Sequence, residues 1–420
     1  LASLSLTSCS DLDTAPEGNI ITSDKKGEIL EEMPERGLAG VRAIFQGLSA
    51  YEPNYEAFGK IERHNDIGYP SVLMFTDANT EDVVSDPNGY NFNGNSLDYS
   101  DRTYTSYESQ MVWNDHYNAI YVANTVIKGY NTGEDPTNEE ARFFYAQGLA
   151  ARAYFYFNLA QLYQFTYKDN ETKPCIPVVT DENTAKSQVE GTPCSTVEET
   201  YTQIKSDIDH AITLLEGTSY EREDKRYISL AVAYGIRARV NLVMQKWADA
   251  ASDAQKAIDA AAAEGVTPAG IDDVKLPTFA KSTEKDWMWG ILVAESDEVV
   301  QSGIVNWISH CGTFNYGYGQ YSKGRQINKK LYNKIPATDV RKGWWSGEDK
   351  LNHFLPDKYN TYLKAKGFPA YTNCKFGTYD GTIGCNTNAN DIVLMRVEEM
   401  YLIKAEAMAK AGQDGKTELE

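Results

Sequence analysis

Two segments of the chain mix tyrosine and tryptophan with asparagine, aspartate and glycine. They are residues 86–107 and residues 307–321, and Trp344 and Trp345 extend the second group. The glycines disfavour helix and strand interiors, so we expect these aromatic rings on loops. A sugar ring presents a flat C–H face edged by hydroxyls. Burying that face on an aromatic ring contributes on the order of 1–2 kcal/mol, and amides or carboxylates bind the hydroxyls.

The candidate ligand-binding residues come from these two segments and from Trp344. They are Tyr90, Phe92, Asn93, Asn95, Tyr99, Trp307, Phe314, Tyr316, Tyr318 and Trp344. For each ring the alternative is that it anchors its loop to the rest of the protein. A second group of aromatic residues recurs at helical spacing, and we expect it in the core: Trp113, Tyr117, Tyr121, Tyr154 and Tyr156.

Catalytic chemistry has little support in the sequence. The motifs G-x-S-x-G, H-E-x-x-H and G-x-x-x-x-G-K-[ST] do not occur. Sixty Asp and Glu residues guarantee that some pair lies at glycosidase spacing, so composition cannot argue for a hydrolase. The Asp/Asn-rich loop 86–101 could hold Ca²⁺ through oxygen ligands, but it does not match the EF-hand pattern. We therefore expect a non-enzymatic protein with no cofactor and no metal ion.

Composition limits the class of protein and of partner. The 420 residues are 42% hydrophobic and 24% charged, which are globular values. The formal net charge is −20, and nucleic acids or anionic membranes need clustered Lys and Arg instead. We therefore expect no nucleic-acid partner. The 28 tyrosines are the unusual number, in a chain whose mean hydropathy is −0.49.

The first residues predict a membrane anchor. Leu6-Thr7-Ser8-Cys9 looks like a bacterial lipobox, in which the cysteine is lipidated and becomes the mature N-terminus. An ordinary cysteine after small residues is the alternative. No other stretch approaches ~18 consecutive apolar residues, so we expect no membrane span and a lipid anchor only. Residues 10–33 are polar and are predicted to be an irregular tether.

Apolar periodicity predicts a mainly α-helical domain over residues 34–420. A first helix is expected at 34–50, and repeat helices at about 111–165, 197–262 and 392–411, with a capping box opening at Thr196. Loop-rich regions are expected at about 81–110 and 266–390. Within the second, residues 287–293 form an apolar run that predicts a strand or a buried extended segment.

Three predicted helices share a basic residue followed by alanine. The pairs are Arg152-Ala153, Arg237-Ala238 and Lys404-Ala405. The break at 245–251 resembles a tetratricopeptide-repeat turn, but the repeats are not tandem at ~34 residues. Helix pairs separated by insertions therefore fit better than a plain solenoid.

The cysteines after Cys9 leave two alternatives open. Cys175 could pair with Cys194, and Cys374 with Cys385, if the protein lies in an oxidising compartment. Buried free thiols are the other reading, and the sequence does not decide between them.

Four landmarks resemble the SusD/RagB family of outer-membrane nutrient-binding lipoproteins of Bacteroidetes. They are the start, Leu-Thr-Ser-Cys9-Ser-Asp-Leu-Asp; the tyrosine-rich helix 150–163; the element Asp339-Val-Arg341; and Arg396-Val-Glu398 with Ala405-Glu406-Ala407. Their order over some 400 residues carries the resemblance. The family usually continues beyond the last helix, so we expect the chain to lack a C-terminal segment.

The resemblance implies a fold and a function. The fold would be mainly α, with tetratricopeptide-like helix pairs, a loop-rich ligand face and few short strands. The protein would lie on the cell surface at the outer membrane, bind a glycan without catalysis and deliver it to a SusC-like TonB-dependent transporter. A peptide receptor on the same scaffold, or an interaction scaffold without a small ligand, are the alternatives.

Overall fold

Long helices arranged in adjacent pairs make up most of the protein. The computed structural model describes residues 23–50, 64–85 and 92–419. The long helices are α5 (Tyr107–Tyr130), α6 (Glu139–Tyr163), α8 (Val197–Glu216), α9 (Leu230–Val243), α10 (Trp247–Ala263) and α17 (Val397–Lys410). The prediction of a mainly α fold with helix pairs and few short strands is confirmed.

Side-chain caps fix where the long helices begin. Ser106, Asn138 and Ser229 each accept a backbone N–H from the first turn of the helix that follows. Thr196 opens α8 with the predicted capping box, because Glu199 in turn accepts the Thr196 N–H at 2.7 Å. Such caps satisfy backbone groups that a helix end would otherwise leave without partners.

The long helices stack in chain order, and alanines let them approach. Helix α6 packs between α5 and α8, α9 packs on α8 and α10, and α17 packs on α10. Ala153 and Ala238, the small residues of the predicted pairs, are fully buried. Gly235 of α9 likewise makes room for Met395, which lies just before α17, because a Cβ at Gly235 would lie 2.5 Å from the Met395 sulfur. Small residues therefore set the spacing of this scaffold, as the sequence predicts.

The start of the described chain differs from the prediction of an irregular tether. Residues Ser23–Glu32 form helix α1, and Leu30 is buried against the scaffold beside Gly129 of α5. The tether prediction is thus wrong for residues 23–32, because an apolar side chain has a place to bury. After a short 3-10 helix at Pro34–Gly37, helix α2 (Leu38–Gln46) occupies the predicted helical region.

Short helices and two small sheets form the rest of the molecule. The helices are α3 (Tyr69–Ala78), α4 (Gly94–Leu97), α7 (Thr184–Glu190), α11 (Ile271–Val274), α12 (Glu298–Gln301), α13 (Trp307–Cys311), α14 (Tyr318–Tyr321), α15 (Lys329–Lys334) and α16 (Asp357–Lys366). The strands are β1 (Val83–Ser85), β2 (Trp287–Ile291), β3 (Arg325–Ile327) and β4 (Ile392–Arg396); β1 pairs with β3 and β2 with β4, both antiparallel.

Strand β2 confirms the extended segment predicted within 287–293. Its pairing with β4 also moves the start of the last helix. Residues 392–396 lie in the strand, where Arg396 is opposite Trp287, and helix α17 begins only at Val397. The predicted helical start at 392 is therefore wrong. The β-branched residues Ile392 and Val393 favour a strand, but their pairing partner β2 is distant in the sequence, so the local pattern does not reveal it.

The five cysteines of the described chain are all free thiols. Cys311, Cys374 and Cys385 are buried, and burial raises the pKa of each thiol. The structure thus has free thiols rather than the two disulfides, but Cys194 is exposed and Cys175 only half-buried, so the alternative of buried free thiols holds for the other three. Among residues 23–50, 64–85 and 92–419, no helix is both long enough and apolar enough to cross a membrane.

Candidate functional site

An aromatic cluster joins the two segments that the sequence singles out. The ring of Phe92 lies 4.9 Å from Tyr318 and 5.4 Å from His310, edge to face in both cases. His310 stacks on Tyr318 at 4.9 Å, and the Tyr318 hydroxyl shares a hydrogen bond with His64. Phe92 is half-buried, while Tyr318 and His310 are buried, so these rings anchor the loops.

Other residues of the first segment are mostly occupied by protein partners. Asn93 is buried, and the Asn95 amide donates to Glu108 at 2.8 Å. Tyr99 is exposed, but the Arg102 guanidinium covers its ring at 4.2 Å from the centroid. Tyr90 lies outside the described residues. The described part of this segment therefore offers few free ring faces.

Tyr316 and Tyr321 form an exposed pair, which we call the tyrosine platform. They are 42% and 50% exposed. A side-chain hydrogen bond between the two raises the pKa of Tyr316. The platform is held from below, since the Tyr316 N–H donates to the Cys385 carbonyl at 2.8 Å and Gly384 N–H to the Phe314 carbonyl at 2.6 Å. Phe314 itself is buried in a small core against Tyr359.

An open cavity of about 630 Å³ adjoins the platform. Tyr316 lines it, and Asp380, Thr382 and Asn386 supply carboxylate, hydroxyl and amide groups to the same cavity. The Thr382 N–H donates to Asp380 at 2.8 Å and holds the pKa of that carboxyl below its usual range. A ring surface beside fixed polar groups is the combination expected of a site for a polyhydroxylated ligand.

Trp307 and Trp344 lie elsewhere, in a cleft of about 700 Å³. The Trp307 indole N–H donates to the Asn390 carbonyl at 3.3 Å, and its ring meets Phe376 edge to face at 5.0 Å. The Trp344 indole N–H donates to the Val274 carbonyl at 3.0 Å. Most of the cleft wall is apolar, from α3, β4 and these rings. The structure therefore does not bring Trp307 and Trp344 together with Tyr316.

The cleft also carries positive charge. Burial and the neighbouring Arg396 charge lower the pKa of Lys375 to about 8. The Lys375 ammonium lies 5.3 Å from the centre of the Trp344 ring. Arg325 is buried, and its two terminal nitrogens have no hydrogen-bond partner among the described residues. Arg341 pairs with Asp339 at 2.7 Å within the Asp-x-Arg element.

Several positions differ from what the sequence predicts. Trp307 and Tyr318 begin short helices rather than lying on loops, because Asn306 caps the first and Ser309 Oγ accepts the Tyr318 N–H at 2.9 Å. Tyr121, expected in the core, is 51% exposed. Tyr154 and Tyr156 are buried as predicted, and Trp113 and Tyr117 are half-buried.

The cavity residues Asp380, Thr382 and Asn386 are absent from the candidates derived from sequence. Their only local signal is a turn-forming run of Asp, Gly, Thr and Asn at 380–386, which is typical of many loops. Tyr321 lies inside the predicted segment 307–321 but is not among the candidate ligand-binding residues. Within the described ranges, no cluster of three or more His, Cys, Asp or Glu residues is placed to hold a metal ion.

Comparison with known proteins gives a family-model match to part of the chain and a fold. Residues 68–242 match a SusD-like family model described as "Starch-binding associating with outer membrane". A search of curated protein sequences gives no significant match.

Solved structures share the fold over most of the chain. A SusD-like carbohydrate binding protein from Bacteroides vulgatus is 22% identical with a TM-score of 0.72, covering 92% of this chain and 73% of its own. A SusD superfamily protein from Bacteroides thetaiotaomicron is 19% identical, with a TM-score of 0.63 and coverages of 92% and 78%. Surface glycan-binding protein A from Bacteroides thetaiotaomicron, solved with laminarihexaose, is 16% identical, with a TM-score of 0.61 and coverages of 92% and 81%. Residues 68–242 are thus similar to the SusD-like family model, and the chain has the fold of these solved structures.

Proposed function

We propose that this protein is a non-catalytic glycan-binding lipoprotein of the outer-membrane surface, which captures an oligo- or polysaccharide for a TonB-dependent transporter. The observation that carries the glycan part is the tyrosine platform beside a cavity lined by Asp380, Thr382 and Asn386. Exposed rings supply affinity for sugar faces, and the polar groups supply orientation.

Relatives of the same fold support the choice of ligand. The Bacteroides vulgatus protein is named as carbohydrate binding, and surface glycan-binding protein A was solved with laminarihexaose. A further relative is named as laminarin binding. The identities are 16–22%, so these names support the class of ligand and leave the glycan itself to experiment.

A glycan array with a matched peptide pool tests this function. We expect saturable binding to at least one polysaccharide class by the purified chain. Tyr316→Ala and Tyr321→Ala should each weaken that binding about tenfold, because losing one stacked ring costs about 1–2 kcal/mol. The affinity is measured by isothermal titration calorimetry.

Tyr121→Ala is the matched control, because Tyr121 is as exposed as Tyr321 but lies on helix α5 of the scaffold. It should leave the affinity unchanged. Glycan binding that survives loss of both Tyr316 and Tyr321 would contradict the assignment of the platform. Silence of the whole glycan panel would contradict glycan capture altogether.

A peptide receptor is the second candidate, and the 700 Å³ cleft favours it. Apolar walls with Trp307, Trp344 and Phe376 suit apolar side chains better than sugar hydroxyls. Trp345 also lines the cleft. If peptides bind and glycans do not, Trp345→Ala should weaken peptide binding while Tyr316→Ala should have no effect. The opposite pattern supports the glycan function.

Delivery to a transporter rests on the family resemblance and on the family description, which links it to the outer membrane. It predicts that the protein forms a stable complex with its SusC-like transporter in detergent, detectable by size-exclusion chromatography. A protein that binds the transporter but neither glycan nor peptide would be an interaction scaffold instead.

A further inference from the structure

The cavity beside the tyrosine platform shares two of its lining residues with a second, smaller cavity. The second has a volume of about 330 Å³, and Asp380 and Ile383 line both. Ile383 packs, partly buried, against Phe314 and its neighbours, so this shared part of the wall is held in place. The two cavities therefore adjoin on the loop-rich side, between Tyr316 and residues 277–284, and we call them together the groove.

We propose that one oligosaccharide chain spans both cavities: one unit stacks on the tyrosine platform, and later units of the same chain enter the pocket beyond Ile383. This rests on the proposed glycan function and extends it. The ligand is then the interior or the end of a longer glycan, and a mono- or disaccharide would fill only one part of the groove.

The two parts differ in chemistry, which gives them different roles. In the second pocket, Phe314 and Tyr359 are buried and form an apolar floor. Its rim carries the Lys281 ammonium, the Thr283 hydroxyl and the Asp380 carboxylate. These donors and acceptors suit sugar hydroxyls, whose pattern distinguishes one glycan from another. The platform therefore stacks on one sugar ring, and the hydrogen-bonding groups of the pocket select among the sugar units that follow it.

The groups on the pocket rim are available to a ligand. Lys281 is exposed, and its ammonium forms no ion pair with any described residue; it lies 4.9 Å from the centre of the Tyr379 ring. The Thr283 side chain is exposed and makes no hydrogen bond to the described part of the chain. A hydrogen bond from such a group to a ligand replaces only water, so it costs no internal partner.

The pocket wall is rigid enough to select a ligand. The Glu284 carboxylate accepts backbone N–H groups from Phe279 at 3.0 Å and Ala280 at 2.7 Å, which ties the loop 278–284 into a closed turn. The segment that contains Gly377 is joined to this turn, because the Gly377 N–H donates to the Thr278 carbonyl at 2.7 Å. A preformed wall loses little conformational entropy when a ligand binds.

A ladder of oligosaccharides tests the proposal. The ladder runs from disaccharide to octasaccharide and is prepared from the polysaccharide that binds most strongly on the array. We expect the affinity of the wild type to rise about tenfold or more between the disaccharide and the longest member. Lys281→Gln and Thr283→Val should each reduce this gain several-fold, whereas Tyr316→Ala should weaken the binding of every length.

Lys256→Gln is the matched control. Lys256 is also an exposed lysine beside a tyrosine, with its ammonium 5.3 Å from the centre of the Tyr234 ring, but it lies on helix α10. It should not alter the dependence on chain length.

Two results separate failure of this proposal from failure of the proposed function. If the wild type binds all lengths equally, or if Lys281→Gln and Thr283→Val leave the length dependence intact, the spanning groove is wrong and glycan binding stands. If no member of the ladder and no polysaccharide binds, the glycan function itself is wrong.

Discussion

Neighbouring tyrosines on the loop-rich side serve opposite purposes. Tyr316 is exposed on the platform, while Tyr318, two positions later, is buried against Phe92 and His310. Gly317 between them makes this possible, because a Cβ there would lie 2.3 Å from Ser309 Oγ and 2.7 Å from its Cα. The close approach to Ser309 turns one tyrosine outward and holds the next one inside.

The buried His310 gives the first prediction, which concerns pH. Burial, with the nearby Arg325 and His64 charges, lowers the pKa of His310 to about 4, from an ordinary value of 6.5. Above pH 6.5 the ring is neutral in the folded and the unfolded protein. Between pH 6.5 and 4 the unfolded chain takes up a proton that the folded protein does not. The free energy of unfolding should therefore fall over this range.

Urea unfolding at pH 7.5 and pH 5 measures this effect. We expect the wild type to lose more stability on acidification than His310→Gln, which has no group to titrate there. Burial raises the pKa of Asp286 to about 6, which acts in the opposite direction, but it does so in both proteins and cancels in the comparison. If the wild type and His310→Gln lose the same unfolding free energy between pH 7.5 and pH 5, then burial beside Phe92 and Tyr318 does not keep His310 neutral.

At the scale of elements, the basic residues that precede alanine tie each helix to others. Arg152 of α6 donates to Asp207 of α8 at 2.8 Å, and Arg237 of α9 donates to Asp253 of α10 at 2.7 and 2.9 Å. Lys404 of α17 pairs with Glu418 at 2.8 Å. The recurrent pattern therefore combines close packing at the alanine with a charge contact beside it.

Arg152 gives the second prediction, which concerns the stacking of α5, α6 and α8. Its guanidinium is buried and binds Asp207, Asp181 and Asn124, each at 2.8 Å. Arg152→Met leaves two buried carboxylates without their cation, so we expect a loss of about 3–5 kcal/mol in the free energy of unfolding. Urea denaturation followed by circular dichroism measures it.

The control for Arg152 is an exposed ion pair. Lys186 and Glu190 on α7 lie 3.8 Å apart, and both are exposed. Lys186→Met should cost less than about 1 kcal/mol. Similar losses for the two substitutions would mean that the buried network is not what holds the three helices together.

The sequence predicts the elements better than their assembly. Apolar periodicity and caps such as Thr196 are local, so the long helices could be placed within a few residues. The start of α17 was wrong because Ile392 and Val393 pair with β2, which lies about a hundred positions earlier. Similarly, His64 meets Tyr318 across 254 positions, and no local pattern shows that contact. The same reason explains why Trp307 could not be assigned to the cleft rather than to the platform.

At the scale of the whole molecule, the net charge of −20 fits a ligand bound by rings and hydroxyl partners rather than by charge. The repeat helices form a scaffold that is held together by buried alanines and by ion pairs such as Arg152–Asp207. The exposed aromatic pair and the groove lie on loops and short helices outside it. Loops carried by a rigid scaffold are a common place for binding residues, because they can vary without disturbing the core.

The last prediction concerns how the whole molecule reaches a membrane. Cys9 lies outside the described residues, and the lipobox at Leu6–Cys9 predicts that it is acylated. Each CH₂ of an acyl chain buried in the bilayer contributes about 0.8 kcal/mol to membrane binding. A single acyl chain binds reversibly, so stable anchoring needs more than one. In cells that export the protein, we expect it in the outer-membrane fraction, with the mass of acyl chains on an N-terminal peptide that begins at Cys9. Cys9→Ser should move it to the soluble fraction with an unchanged fold.

Cys194→Ser, at an exposed cysteine of the folded body, is the control and should leave the protein in the membrane. Membrane association that survives Cys9→Ser would instead place the attachment in the protein's contacts with its transporter, which detergent extraction followed by size-exclusion chromatography would reveal.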